Sequence, residues 1–130
     1  MAAAITHQFA AIGTNVFIQT GYFGGLSSQL DYSAILIVTE AKMEDGVTNA
    51  YIPGHSSVKA DEELITRAVD YCQKKGCQYV TRSVLSTSAP FLETEKIVQS
   101  WSLDGHIGVD MESAVTLAVA INLIKKLSAC

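Results

Sequence analysis

The stretch Ala34-Ile35-Leu36-Ile37-Val38-Thr39 constrains this chain more than any other. It is apolar almost throughout and rich in β-branched residues. Such a run suits a strand covered on both faces rather than one with a wet side. A strand of that kind needs a layer of structure above it and another below. The chain supplies a helix to serve as one cover. Asp61 precedes Glu62 and Glu63, as a cap precedes an acidic first turn. Leu64, Ile65, Ala68, Val69 and Cys72 then fall on one helical face, and Lys74, Lys75 and Gly76 close the element.

The other segments repeat this alternation. Asn15-Val16-Phe17-Ile18-Gln19-Thr20 reads as a short buried strand, and Gly21, Gly24 and Gly25 as a glycine-rich turn after it. Residues 43–60 carry Gly46, Pro53 and Gly54 and read as a long loop. A further strand is expected over 78–85. A helix is expected over 93–103 with Ile97, Val98 and Trp101 inward, followed by a short strand at Ile107-Gly108-Val109. A last helix is expected from about Glu112 to Leu127, with Ala114, Leu117, Ala118, Ile121 and Ile124 inward. Phe9 to Gly13 reads as the end of a helix whose start is missing. Strands alternating with helices give an α/β class, with a mixed, largely parallel sheet flanked by helices and one domain over residues 1–130.

Composition excludes several functions. Apolar residues make up 48% and charged residues 17%, which fits a packed protein and not a disordered one. The net charge is −4 and no basic stripe is present, so extended nucleic-acid binding is not expected. No basic leader segment and no run of roughly 18 apolar residues is present, so neither secretion nor a membrane span is expected. Cys72, Cys77 and Cys130 form no CxxC pair, and His7, His55 and His106 share no ligand spacing. No metal site is expected, Cys72 is expected to be buried and inert, and a reducing cytoplasm is the expected setting.

The segment richest in chemistry is Gly108-Val109-Asp110-Met111-Glu112-Ser113-Ala114. A strand here delivers two carboxylates and a methionine to a helix N-terminus. Asp110 can serve simply as an N-cap, with Glu112 as a first-turn charge and Met111 as filler. Alternatively, carboxylates at a strand's C-terminal end can accept hydrogen bonds from sugar hydroxyls, because α/β proteins bind ligands there.

This segment resembles the acidic-Met-Glu signature of the nucleoside phosphorylase and uridine phosphorylase family. Two others resemble that family in order and spacing. Thr20-Gly21-Tyr22-Phe23-Gly24-Gly25-Leu26 is similar to its glycine-rich phosphate turn. The run from Leu85 to Glu95, including Ser86, Thr87 and Phe91, is similar to its base-pocket loop. The resemblance spans Phe9 to Ala120. It implies a reduced nucleoside phosphorylase-like fold that cleaves the bond between ribose and nucleobase with inorganic phosphate as co-substrate, or with water in related nucleosidases, and no other cofactor. Glu112 would bind ribose hydroxyls beside Asp110, Met111 would pack on the sugar, and Phe91 would lie against the base. Ser86 and Thr87 would line the pocket, and Gln19, Gly21 and Tyr22 would stand at the phosphate.

The chain departs from that family in ways that bear on chemistry. An arginine usually stands where Gln19 is, and a small hydroxyl residue where Tyr22 is. A dianion loses a charge-assisted, bidentate partner when a guanidinium becomes an amide. Ser88 replaces an aspartate of the base loop, and no residue matches the group that protonates the leaving base. Family members also extend further at both ends, so a truncated domain is expected. Two functions remain open: an N-ribosyl-cleaving enzyme, or a non-catalytic remnant that binds a nucleoside or a protein. A homo-oligomer, or pairing with a complementary chain, is expected because a shortened sheet leaves edges and apolar faces uncovered.

Overall fold

Asp61 caps its helix as its position suggests. Its Oδ1 accepts the Leu64 N–H at 3.0 Å, and Gly76 ends the helix at φ +66°, a region costly for residues with a Cβ. The computed structural model describes residues 1–28 and 30–128, with side chains described up to residue 124 of the last helix. The order is α1 (Ala2–Ala11), β1 (Gly24–Gly25), β2 (Ile35–Glu44), α2 (Thr48–Tyr51), β3 (Ser57–Lys59), α3 (Glu62–Lys75) and β4 (Tyr79–Thr87). A single 3-10 turn (Pro90–Leu92) follows, then α4 (Glu95–Leu103), β5 (Gly108–Asp110) and α5 (Ser113–Ser128).

The strands form one mixed five-stranded sheet in the order β1-β5-β4-β2-β3. The central strands β5, β4 and β2 are parallel, with Ile35 opposite Tyr79 and Val84 opposite Gly108. The edges are antiparallel. A bulge between Val38 and Ala41 adds one residue to β2. It shifts the alternation so that Leu36, Val38, Ala41 and Met43 all join one packed cluster. That cluster meets Ala114, Leu117 and Ile121 of α5, and α1 packs along α5 in turn. Leu26, Leu85 and Val109 form a second cluster, covered by Val98 and Trp101 of α4. α3 packs against β2. Both faces of the central strands are covered, as the apolar run in β2 requires. Among the described residues no helix is long and apolar enough to cross a membrane.

Four expectations need correction. Residues 15–20 form no strand. Their β-branched content suits a pleated surface, but a strand exists only beside a hydrogen-bonded neighbour, and no described strand lies there. Gly24 and Gly25 are not part of a turn; they are β1, paired with Val109 and Gly108. Phe9 to Ala11 are the end of a helix, as expected, and α1 runs back to Ala2. The segment 43–60 is not one loop. Met43 and Glu44 complete β2, Asp45 accepts the Thr48 N–H at 2.7 Å to start α2, and β3 follows. Ile97 is exposed rather than inward. Cys72 is buried, and Cys130 lies outside the described residues.

Candidate functional site

Parallel strands of similar reach bring their C-terminal ends together, and α5 springs from one of them. Ser86 of β4 lies opposite Asp110 of β5. The Ser86 hydroxyl donates to Asp110 Oδ1 at 2.6 Å and accepts the Ala114 N–H at 2.9 Å. Asp110 Oδ1 also accepts the Ser113 N–H at 3.3 Å, and its Oδ2 accepts the Ser113 hydroxyl. Asp110 therefore caps the first turn of α5 across the two residues that separate it from the helix. Ser86 is fully buried, and Thr87 is buried with its Oγ1 accepting the Ala89 N–H at 3.2 Å. Ser86 and Asp110 spend their polar atoms holding the strand ends to the helix, while Thr87 closes the turn that follows β4.

The two residues between β5 and α5 project from this fixed base. Met111 is 46% exposed, and Glu112 lines a groove with a volume of about 370 Å³. The opposite wall of the groove is the segment Phe17 to Tyr22, including Gln19, Thr20 and Gly21. Its floor comes from Thr116, one helical turn after Glu112, and from Thr6 and Phe9 of α1. The structure thus brings Glu112 together with Gln19, Gly21 and Tyr22. It does not bring Met111 or Phe91 into that groove. Phe91 stands fully exposed on the 3-10 turn. Tyr22 is also fully exposed, so its ring lines the rim without filling the space.

The groove's electrostatics are simple. Among the described lining residues Glu112 is the single charged one; the remaining polar groups are threonines, Gln19 and Tyr22. A carboxylate facing neutral donors and acceptors suits hydroxyl ligands. The α1 wall was not legible from the sequence, because it depends on α1 docking against α5. Thr116 did carry a signal, since positions four apart share a helix face. A second, smaller cavity of about 240 Å³ shares no lining residue with the groove. There Ser83 Oγ and His106 Nδ1 are hydrogen-bonded at 3.2 Å, and the Ser57 hydroxyl donates to Glu40.

The family model of the phosphorylase superfamily matches residues 1–123. The chain belongs to the phosphorylase superfamily. Its superfamily relatives include a guanosine phosphorylase from Halorubrum lacusprofundi, 21% identical over 92% of this chain and 49% of that protein. Among solved structures, AMP nucleosidase from Bacteroides thetaiotaomicron superposes with a TM-score of 0.85 at 27% identity, covering 94% of this chain and 51% of that one. Uridine phosphorylase from Vibrio fischeri gives 0.87 at 20% identity, covering 94% and 52%. At that identity the likeness speaks for the fold alone, which is the α/β fold described above. The chain spans about half the length of these superfamily relatives.

Proposed function

We propose that this superfamily member binds a neutral nucleoside through its ribose in the Glu112 groove, without a bound inorganic phosphate. The observation that carries this reading is the lone carboxylate in a groove that has no cationic lining among the described residues. Ribose offers vicinal hydroxyls that can donate to Glu112. A phosphate dianion would meet no positive partner, and like unit charges about 4 Å apart repel by about 4 kcal/mol at an effective dielectric near 20. The volume of about 370 Å³ lies within the usual range for small-ligand sites, roughly 300–1,000 Å³. The names of the relatives agree on ligand class, since guanosine phosphorylase, AMP nucleosidase and uridine phosphorylase all act on ribosides. Any cleavage would then use water at C1′. It would be slow, because no group in the groove matches the acid that protonates the departing base. Asp110, Ser86 and Thr87 would act by holding the site's frame, with Met111 at its mouth, and a reducing cytoplasm would be the natural setting.

The test is calorimetric titration with a panel of nucleosides, with and without inorganic phosphate, alongside chromatography for free base. Binding indifferent to phosphate and weakened at least tenfold in Glu112→Ala supports the reading, since a hydrogen bond to a charged group is worth about 1.5–3 kcal/mol. Base release without phosphate makes the chain a nucleosidase, and heat without release makes it a binding module. Release that requires phosphate, or no heat with any nucleoside, overturns the proposal.

A further inference from the structure

We propose that the second cavity holds a small zwitterion of the α-amino-acid class, with Glu40 receiving its ammonium and Lys42 its carboxylate. The cavity measures about 240 Å³ and is lined by Glu40, Lys42, Ser56, Ser57, Ser83 and His106. It exists because of the bulge in β2. Side chains alternate along a strand, so without the extra residue Glu40 would share the face of Leu36 and Val38, beneath α5. With it, Ala41 and Met43 take that face, and Glu40 and Lys42 turn to the other one. Bulges often re-aim a side chain in this way beside a site. Ser57 of β3 lies opposite Lys42, and Ser83 of β4 lies opposite the bulge. His106, just before β5, completes the lining through its Nδ1 contact with the Ser83 hydroxyl at 3.2 Å.

Two opposite charges line this cavity without meeting. Glu40 and Lys42 make no ion pair with each other. Glu40 accepts the Ser57 hydroxyl at one carboxylate oxygen, and its Oε2 has no partner among the described residues. Lys42 Nζ has Glu44 at 3.5 Å and Asp104 at 3.8 Å, both beyond good hydrogen-bond length, with those side chains 47% and 53% exposed. Exposed pairs of that length are weak, so the ammonium keeps donors for a ligand. The ligand must answer both charges. A dianion such as phosphate would meet Lys42 but would also face Glu40, Glu44 and Asp104. A simple cation would meet Glu40 and be opposed by Lys42. A zwitterion gives each charge its opposite. The spacing agrees, since residues two apart on a strand are separated by about 6.6 Å, roughly the reach of an α-amino acid held by a hydrogen bond at each end. Four of the six lining side chains are hydroxyls or imidazole, which favours a ligand with a short polar side chain over an apolar one. The volume also lies below the roughly 300 Å³ at which sites for drug-sized ligands begin.

Calorimetric titration of the whole chain with glycine, serine, threonine and asparagine provides the test, with ethanolamine and lactate as probes that each carry one of the two charges. At least one amino acid should bind in the millimolar range or tighter. Each single-charge probe should bind at least tenfold more weakly, as expected for loss of a hydrogen bond to a charged group. Glu40→Gln and Lys42→Met should each weaken the amino acid at least tenfold while leaving the circular dichroism spectrum unchanged. Both should leave nucleoside titrations unchanged as well, since the cavity shares no lining residue with the Glu112 groove. Two-dimensional amide NMR of the unaltered chain reads the site even where a variant fails to fold, with shifts expected at Glu40, Lys42, Ser57 and Ser83. No heat and no such shifts with any of the four amino acids at millimolar concentration overturns the proposal. Binding that survives both substitutions overturns it too. Ethanolamine or lactate binding as tightly as the amino acids has the same consequence, because one charge then suffices.

Discussion

The two walls of the Glu112 groove are built on opposite principles. On one side, the junction of β4, β5 and α5 satisfies every polar group it buries: Ser86, Asp110, Ser113 and the Ala114 amide answer one another. On the other, the segment from Phe17 to Tyr22 makes no hydrogen bond among the described residues. The first wall is fixed by the fold, while the second is held only by side chains that happen to be anchored. Phe23 is the clearest anchor, because its ring lies against Gly108 of β5. A site with one rigid and one loosely held wall can keep Glu112 in place while the facing segment adapts to a ligand. Amide hydrogen exchange should show the same division, with β4 amides slow and those of 15–22 near the unprotected rate.

Removing core from beneath the rigid wall should have the largest effect. Leu85 is fully buried on β4, next to Ser86. Leu85→Ala deletes three heavy atoms from a packed cluster that includes Val109 and Leu26. The expected cost is about 2–5 kcal/mol, transfer and cavity terms together. Urea titration should show an earlier midpoint with little change in slope. A loss under about 1 kcal/mol would mean that this side of the sheet is not packed as described.

The coupling between the walls can be probed next. A Cβ at position 108 would stand 2.7 Å from Phe23 Cδ2 and 3.1 Å from Leu36 Cδ2. Gly108→Ala therefore overpacks the contact and should cost about 1–3 kcal/mol. If Phe23 is the pin, Phe23→Ala should relieve much of that clash. The double variant should then be more stable than the sum of the two single losses requires. Strict additivity in thermal melts would mean that Phe23 does not tie the loose segment to the sheet.

The same contrast explains what the sequence could reveal. Asp61, Gly76 and the apolar run of β2 speak through local chemistry, namely a cap, a left-handed stop and a doubly covered strand. The cap reading of Asp110 was legible for the same reason. The strand expected at 15–20 failed because pairing is not a local property, and Asn15 to Thr20 has no strand beside it among the described residues. The end of β2 was missed although Glu40, Lys42 and Glu44 alternate with Ala41 and Met43, since a charged edge reads as loop when only apolar runs are sought. The run of α1 back to Ala2 was not read because its first turn here carries neither a capping side chain nor an acid. Glu112 stood out by its motif, whereas Thr6 and Phe9 joined the groove only through α1 meeting α5.

Loss of the Asp110 carboxylate isolates the cap from the core. Asp110→Ala removes the acceptor for the Ser113 amide and for the Ser86 hydroxyl. Ser86 keeps the Ala114 N–H, so the loss is partial. About 0.5–2 kcal/mol is expected, as for other N-caps, with a fall in melting temperature of roughly 4 °C per kcal/mol. Glu112 sits two residues on, so nucleoside affinity should fall as well if the cap sets its direction. Unchanged affinity with lowered stability would separate the frame from the site.

The smallest effect is expected on the loose wall, where it is most informative. Thr20 is exposed, lines the groove and has no hydrogen bond among the described residues. Thr20→Ala has no cap, ladder or core contact to remove, so stability should move by less than about 0.5 kcal/mol. If the hydroxyl meets a ligand, its loss should appear only in titrations with nucleoside, as a severalfold weaker affinity at an unchanged melting temperature. A stability loss comparable to that of Asp110→Ala would show that residues 15–22 are fixed in the folded chain after all, and the difference between the two walls would disappear.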